Sequence, residues 1–89
     1  MLERGLFKMY KTTVRFETVV EAKAFVSICN ESDFKVELVS GPYIIDAKSI
    51  MGLFSLDLSQ PIELQAHCKD DAAWQAFKER IHDFLVTTA

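Results

Sequence analysis

The sequence predicts an α+β domain in which three helices cover one face of a four-stranded antiparallel sheet. Segments with a two-residue hydrophobic period alternate with segments of helical period, in the order β-α-β-β-α-β-α. The chain has 89 residues, of which 49% are hydrophobic and 11% aromatic, so it can form one domain with a substantial core. We assign residues 1–9 to an N-terminal extension and residues 10–89 to the domain.

The first strand and the first helix are predicted from a change of hydrophobic period. From Lys11 to Glu17, polar and apolar residues alternate, as they do in a half-buried strand. The run Thr18-Val19-Val20-Glu21 then has the form of a capping box. In this motif a hydroxyl and a carboxylate accept hydrogen bonds from backbone amides that have no partner at a helix start. The helix fades near residues 30–33, after four apolar residues at helical spacing: Ala22, Phe25, Val26 and Cys29.

The middle of the chain predicts a hairpin followed by a short helix. The second strand carries alternating apolar residues: Phe34, Val36 and Leu38. Residues 40–42, Ser-Gly-Pro, form a turn, and residues 43–47 return as the third strand. Ser49 is placed to cap a short second helix over residues 50–55.

The last part of the chain predicts a fourth strand and a final helix. Pro61 opens a strand in which Ile62, Leu64 and Ala66 face inward. Asp70 and Asp71 are suited to a helix N-terminus because carboxylates stabilise the positive end of the helix dipole. The apolar face of the final helix is marked by four residues: Trp74, Phe77, Ile81 and Phe84.

Composition argues against several classes of function. The net charge is −3 and the ten Lys and Arg residues are spread along the chain, which argues against nucleic-acid binding. The apolar runs are too short to cross a bilayer and the start resembles no secretory signal, so we expect a cytoplasmic protein without membrane insertion. Cys29 and Cys68 show no metal-ligand spacing; we expect buried free thiols, with no metal and no cofactor.

The segment Asp46–Leu56 contains Lys-Ser-Ile-Met-Gly at residues 48–52. It resembles the region around the regulatory serine of HPr, the histidine-containing phosphocarrier protein of the sugar phosphotransferase system. The similarity in element order extends from about Tyr10 to Leu85. The resemblance implies the open-faced β-sandwich of HPr, in agreement with the fold predicted from periodicity, and a bacterial protein related to sugar transport.

The resemblance also implies where a phosphate-carrying site would lie. In HPr, a histidine at the start of the first helix is followed two residues later by arginine and then by proline. Counting back from Ser49 without gaps places these positions at Thr18, Val20 and Glu21, and no histidine precedes His67. A threonine forms a stable phosphate ester and not a labile phosphohistidine. We therefore expect a family member without phosphocarrier chemistry, and not an enzyme.

Two interpretations of the Ser49 helix are open. In some bacteria a dedicated kinase phosphorylates the matching HPr serine, which turns HPr into a co-regulator of transcription. The simpler interpretation is an ordinary N-cap, which contributes about 1 kcal/mol. The resemblance further implies a docking patch for protein partners at Ile50, Met51 and Phe54; the alternative is that Ile50 and Phe54 complete the core.

Three functional hypotheses follow. In the first, the protein is a non-catalytic regulatory or binding module that docks a partner, such as an HPr kinase or a transcriptional regulator, through the Ser49 helix. In the second, it is a phosphocarrier that uses an atypical residue such as His67. In the third, it is a diverged domain with no remaining link to sugar transport. The sequence places His67 on the solvent face of a strand and His82 beside the stripe of the last helix, and neither stands at a predicted helix start.

Overall fold

The computed structural model describes residues 8–86 and confirms the predicted fold. The strands and helices in chain order are β1 (Lys8–Val14), α1 (Val19–Asn30), β2 (Lys35–Ser40), β3 (Tyr43–Asp46), α2 (Ile50–Phe54), β4 (Ile62–Cys68) and α3 (Asp71–Arg80). The strands form one antiparallel sheet in the order β1-β4-β2-β3. The helices pack on one face of this sheet, as expected for an open-faced sandwich.

The first strand begins earlier than the sequence predicted. Lys8 pairs with Cys68 and Met9 pairs with His67, so both residues belong to the sheet and not to an extension of residues 1–9. Their side chains are exposed, and therefore no hydrophobic period marks this end of the strand. The other residues of the predicted extension, and the last three residues of the predicted domain, lie outside the described residues.

The hydrophobic core of the described residues lies between the helices and the inner face of the sheet. Strand β4 is central and contributes alternate residues to it: Ile62, Leu64, Ala66 and Cys68. Phe25 of α1 packs against Phe16 and Phe84, with ring centroids 4.9 and 5.7 Å apart. Tilted and edge-on aromatic pairs of this kind contribute beyond the area that they bury. They anchor α1 in the same cluster as the C-terminal part of the chain.

The opposite face of the sheet is mainly polar. Lys11, Gln65 and Glu37 lie side by side on β1, β4 and β2. These residues are exposed or half-buried. The sheet is therefore covered on one face and solvated on the other.

The final helix ends earlier than its apolar stripe predicted. Helix α3 ends at Arg80, and residues His82–Phe84 form a short 3-10 turn. Phe84 is still buried, but after the turn the chain runs alongside β1. There Leu85 forms a bridge with Val14, and the Arg15 amide donates a hydrogen bond to the Phe84 carbonyl at 2.9 Å. The C-terminal segment thus lies beside the strand that leads into α1.

Both cysteines are buried free thiols, as predicted. Burial raises the pKa of Cys29 to about 12 and the pKa of Cys68 to about 11, because a thiolate loses its hydration in the core. Thiols with such pKa values are almost fully protonated at neutral pH. Buried and protonated thiols of this kind react slowly as nucleophiles.

Candidate functional site

At the start of α1, backbone amides are capped by side chains of the same segment. Thr18 is the N-cap, and its hydroxyl oxygen accepts a hydrogen bond from the Glu21 amide at 3.1 Å. The Glu21 carboxylate accepts a hydrogen bond from the Glu17 amide at 2.9 Å. This confirms the predicted capping box, although the glutamate reaches one residue further back than in the usual form. The threonine hydroxyl and the glutamate carboxylate are therefore both engaged in capping.

Two valines next to Thr18 project into solvent. Val19 is 55% exposed and Val20 is 75% exposed. Core packing does not explain such exposure, and adjacent exposed apolar residues are a feature of contact surfaces. Sequence reasoning did not single out these valines as surface residues. The helical spacing of the buried residues of α1 could have identified them, because this spacing places both valines away from the face that packs on the core.

Acidic side chains border the same helix start. Glu17 and Glu21 line a cavity together with Arg15 and Asp83. Three carboxylates and one guanidinium give this part of the surface a net negative charge at neutral pH. Such a surface disfavours a bound anion.

Ser49 caps α2 through the same kind of bond. Its hydroxyl oxygen accepts a hydrogen bond from the Gly52 amide at 3.1 Å, and its carbonyl accepts one from the Leu53 amide at 3.0 Å. A Cβ atom at position 52 would lie only 3.3 Å from this hydroxyl oxygen, so glycine is the residue that fits without crowding. The N-cap role of Ser49 is confirmed, and its phosphorylation stays a prediction.

The three residues predicted to dock a partner divide into two groups. Met51 is 78% exposed and Phe54 is 41% exposed, whereas Ile50 is half-buried and packs against the core. The residue of α2 that is fully buried is Leu53. The core interpretation therefore applies to Ile50 but leaves Met51 and much of Phe54 on the surface.

The segments that flank α2 lie near the two ends of α1. Asn30, the last residue of α1, donates a hydrogen bond to the carbonyl of Lys48, which precedes α2. At the other end, Val19 shares a cavity with Leu58, which follows α2. The turn before α2 is therefore near the end of α1, and the loop after α2 is near its start.

The two histidines lie elsewhere in the fold. His67 is on the polar face of β4, where its Nε2 lies 3.2 Å from the Glu37 carboxylate. His82 is in the 3-10 turn, with a side chain that is 81% exposed. Arg80 lines a cavity with His82, but its guanidinium is paired with Glu31. Within residues 8–86, neither histidine lines the cavities beside the start of α1.

Among the described residues, no group of three or more His, Cys, Asp or Glu side chains is arranged to hold a metal ion. In the same part of the chain, no helix combines the length and the hydropathy needed to span a bilayer.

Comparison with known proteins gives a consistent result. The family described as "PTS HPr component phosphorylation site" matches residues 19–85, a range that begins one residue after Thr18. The crystal structure of HPr-C-His from Thermoanaerobacter tengcongensis has a TM-score of 0.66 and 24% identity, and the match covers 85% of this chain and 92% of that chain. The crystal structure of a phosphocarrier protein HPr from Bacillus anthracis str. Ames has a TM-score of 0.63 and 22% identity, over 81% of this chain and 95% of that chain. No curated protein sequence matches the chain.

Proposed function

The chain belongs to the HPr family of the phosphotransferase system, and from this premise we propose that it is a non-catalytic regulatory or binding member and not a phosphoryl carrier. The observation that carries the proposal is the chemistry at the start of α1. A threonine whose hydroxyl caps the helix stands where the gap-free alignment places the family's histidine. The proposal includes a protein partner and a cytoplasmic location.

The surroundings of Thr18 support the absence of phosphoryl transfer. An imidazole can pass on a phosphoryl group because the phosphorus–nitrogen bond is labile, whereas a threonine ester is stable. The position aligned with the family's arginine is Val20, which carries no charge. Glu17 and Glu21 add negative charge where a phosphoryl group would need cations or free amides. All three features oppose a transferable phosphoryl group at this helix start.

The exposed apolar residues on α1 and α2 support a binding role. We define the apolar surface as Val19, Val20, Met51 and Phe54. Leu58, in the loop that follows α2, lines a cavity with Val19, so the chain after Phe54 leads to the start of α1. Apolar groups exposed together on neighbouring helices favour contact with a protein. The predicted docking patch thereby gains two residues on α1, and Ile50 lies at its border with the core.

The proposed regulatory site is Ser49. Its hydroxyl is at a helix start, where a phosphate would meet backbone amides and a favourable dipole, so the modification is compatible with the fold. The local sequence from Lys48 to Gly52 is the part that resembles the family's regulatory region. A modification here would place negative charge beside Met51 and change what the apolar surface can bind.

A phosphotransfer assay tests the proposal that the chain carries no phosphoryl group. The protein is incubated with phosphoenolpyruvate and the first enzyme of a bacterial phosphotransferase system, with an HPr that carries its histidine as the positive control. We expect acid-labile phosphate on the control and none on this chain. Acid-labile phosphate mapped to His67 or His82 would contradict the proposal and favour an atypical carrier.

A kinase assay tests the regulatory role separately. A bacterial HPr kinase with ATP is expected to modify the wild-type chain and to leave Ser49→Ala unmodified, with the product stable in acid. Ser55→Ala is the matched control, because Ser55 lies at the opposite end of α2 and is exposed. Failure to modify the wild-type chain under conditions that modify a control HPr would argue against regulation through Ser49.

A further inference from the structure

The turn before Ser49 is tied to the far end of α1. The Asn30 amide group donates one hydrogen bond to the Lys48 carbonyl at 3.0 Å and another to a carbonyl of its own helix at 2.9 Å. In return, the Lys48 ammonium donates a hydrogen bond to the carbonyl of Ser32, which lies just beyond α1, at 3.0 Å. The Asp46 carboxylate accepts a hydrogen bond from the Lys48 amide at 2.9 Å. Lys48 is thus held through its side chain, its amide and its carbonyl.

The position of the Lys48 ammonium is electrostatically favourable. The carbonyl end of a helix carries partial negative charge, which a nearby cation stabilises. The last turn of α1 contains no basic residue of its own. Lys48, from another element, places its cation there, so attraction to the helix end adds to the hydrogen bond with Ser32.

These contacts fix the chain immediately before the serine. The Ser49 amide donates a hydrogen bond to the Asp46 carbonyl at 3.0 Å, while the preceding carbonyl accepts from Asn30. Both polar groups of the peptide unit that joins Lys48 to Ser49 therefore have partners. Connecting segments on a surface are commonly mobile, and this one is restrained by Asn30 of a twelve-residue helix and by Ser32 just beyond it.

We propose that Asn30 and Lys48 are positioning residues for Ser49: they hold the turn so that the serine hydroxyl is presented to a modifying enzyme in one conformation. The inference rests on the proposed role of Ser49 as a phosphorylation site. If the contacts are lost, the turn samples other conformations, and only a fraction of the molecules is competent at any moment. The apparent affinity for the enzyme falls by that fraction, so KM rises while kcat is retained.

Amide hydrogen exchange tests the positioning directly. In Asn30→Ala, the amides of Ser49, Gly52 and Leu53 are expected to exchange about fivefold faster, the ratio that loss of one ordinary hydrogen bond predicts. Amides of the central strand β4 should exchange at the wild-type rate. Ser27→Ala, an exposed polar residue on the same helix, is the control and should change neither group. Unchanged exchange at Ser49, or an equal rise in β4, would overturn the inference.

Lys48 variants separate positioning from a general effect of charge. Lys48→Met keeps the aliphatic chain and removes the ammonium, whereas Lys48→Arg keeps a cation able to reach a carbonyl. We expect faster exchange at Ser49 in the methionine variant and near-wild-type exchange in the arginine variant. Lys23→Met removes an exposed lysine from α1 and should have no effect. Equal acceleration in all three variants would contradict the proposal.

Kinase kinetics give the functional measurement. With a bacterial HPr kinase and ATP, Asn30→Ala is expected to raise KM by up to about fivefold with kcat nearly unchanged, because the competent fraction of the molecules falls by no more than the opening constant of the turn rises. A lower kcat at unchanged KM would contradict positioning. If the kinase does not modify the wild-type chain, the proposed function fails, and the exchange measurements still decide whether Asn30 and Lys48 fix the turn.

Discussion

The starts of α1 and α2 use the same cap and differ in what surrounds it. The hydroxyl oxygens of Thr18 and Ser49 each accept a hydrogen bond from the amide three residues ahead, at 3.1 Å. At α1, the Glu21 carboxylate accepts a second capping hydrogen bond, from the Glu17 amide, and two exposed valines follow the cap. At α2, a glycine leaves the hydroxyl uncrowded and a tethered lysine precedes it. Capping geometry alone therefore carries no functional information, and the neighbouring charges and glycine distinguish the two sites.

The two helices also differ in how firmly they are held. Helix α1 has twelve residues and buries four side chains, whereas α2 has five residues and buries one. Short helices derive little stability from their own hydrogen bonds. The α2 region therefore depends on Leu53 and on the contacts that Lys48 makes with α1, while α1 is anchored by the aromatic cluster around Phe25.

The largest expected effect is on the anchors of the two helices. We expect Phe25→Ala to reduce the free energy of unfolding by about 3–5 kcal/mol and Leu53→Ala by about 2–3 kcal/mol, because both side chains are fully buried and Phe25 also loses two aromatic contacts. Urea unfolding at 25 °C measures both values. Phe54→Ala, in an exposed position of α2, is the control and should cost less than about 1 kcal/mol. A greater loss in Leu53→Ala than in Phe25→Ala would contradict the proposed difference in anchoring.

A smaller effect is expected at the two caps. Thr18→Ala should reduce the free energy of unfolding by about 1–2 kcal/mol and Ser49→Ala by about 0.5–1 kcal/mol, because Thr18 begins a longer helix and belongs to a two-bond capping box. The same urea measurement applies. Thr18→Ser and Ser49→Asp retain a capping oxygen and should stay close to the wild-type stability. If both alanine variants were neutral, the capping bonds would not contribute to the difference between the helix starts.

The smallest effect is expected in the loop that faces the start of α1. The hydroxyl and the amide of Ser59 donate hydrogen bonds to the Asp57 carboxylate, at 2.6 and 3.0 Å, and lower the pKa of Asp57 below its ordinary value of 3.8. A carboxyl group with a lowered folded-state pKa stabilises the fold above its unfolded pKa. This contribution is lost as the pH falls through the folded pKa.

Thermal unfolding between pH 7 and pH 2 tests this linkage. Ser59→Ala removes the largest cause of the shift, so its Tm should lie slightly below that of wild type at neutral pH. The difference should begin to shrink as the pH falls below about 4, and it should vanish once Asp57 is protonated in the folded wild-type protein, below its lowered pKa. Ser27→Ala serves as the control. A Tm difference that stays constant down to pH 2 would show that Ser59 acts independently of the Asp57 charge.

Periodicity was sufficient to predict most of the fold. Strand β4 alternates between buried and half-buried residues along its whole length, which is the pattern that the sequence displays. The capping sequence at Thr18 predicted the start of α1, because its side-chain chemistry is local. The pattern was less informative at Lys8 and Met9, which pair in the sheet through their backbone while their side chains remain exposed.

Other features depend on contacts that a pattern does not contain. Phe84 fits the apolar stripe of α3, yet it is buried by a turn that begins after the helix has ended. The stripe indicates that a side chain faces the core, but it does not show whether the residue belongs to the helix or to the turn that follows the helix. Likewise, nothing in the sequence indicates that Lys48 binds a carbonyl beyond α1, because the two residues are brought together by the fold.

The inaccessible thiols of Cys29 and Cys68 give the natural chain a practical advantage for spectroscopy. A maleimide dye needs an accessible thiolate, and both native sulfur atoms are enclosed and protonated at neutral pH. A single cysteine introduced by Met51→Cys would therefore be labelled alone, without replacing either native residue. The emission and the anisotropy of a fluorophore at that position would change when another macromolecule binds over α2. Binding would alter the polarity around the dye and restrict its rotation.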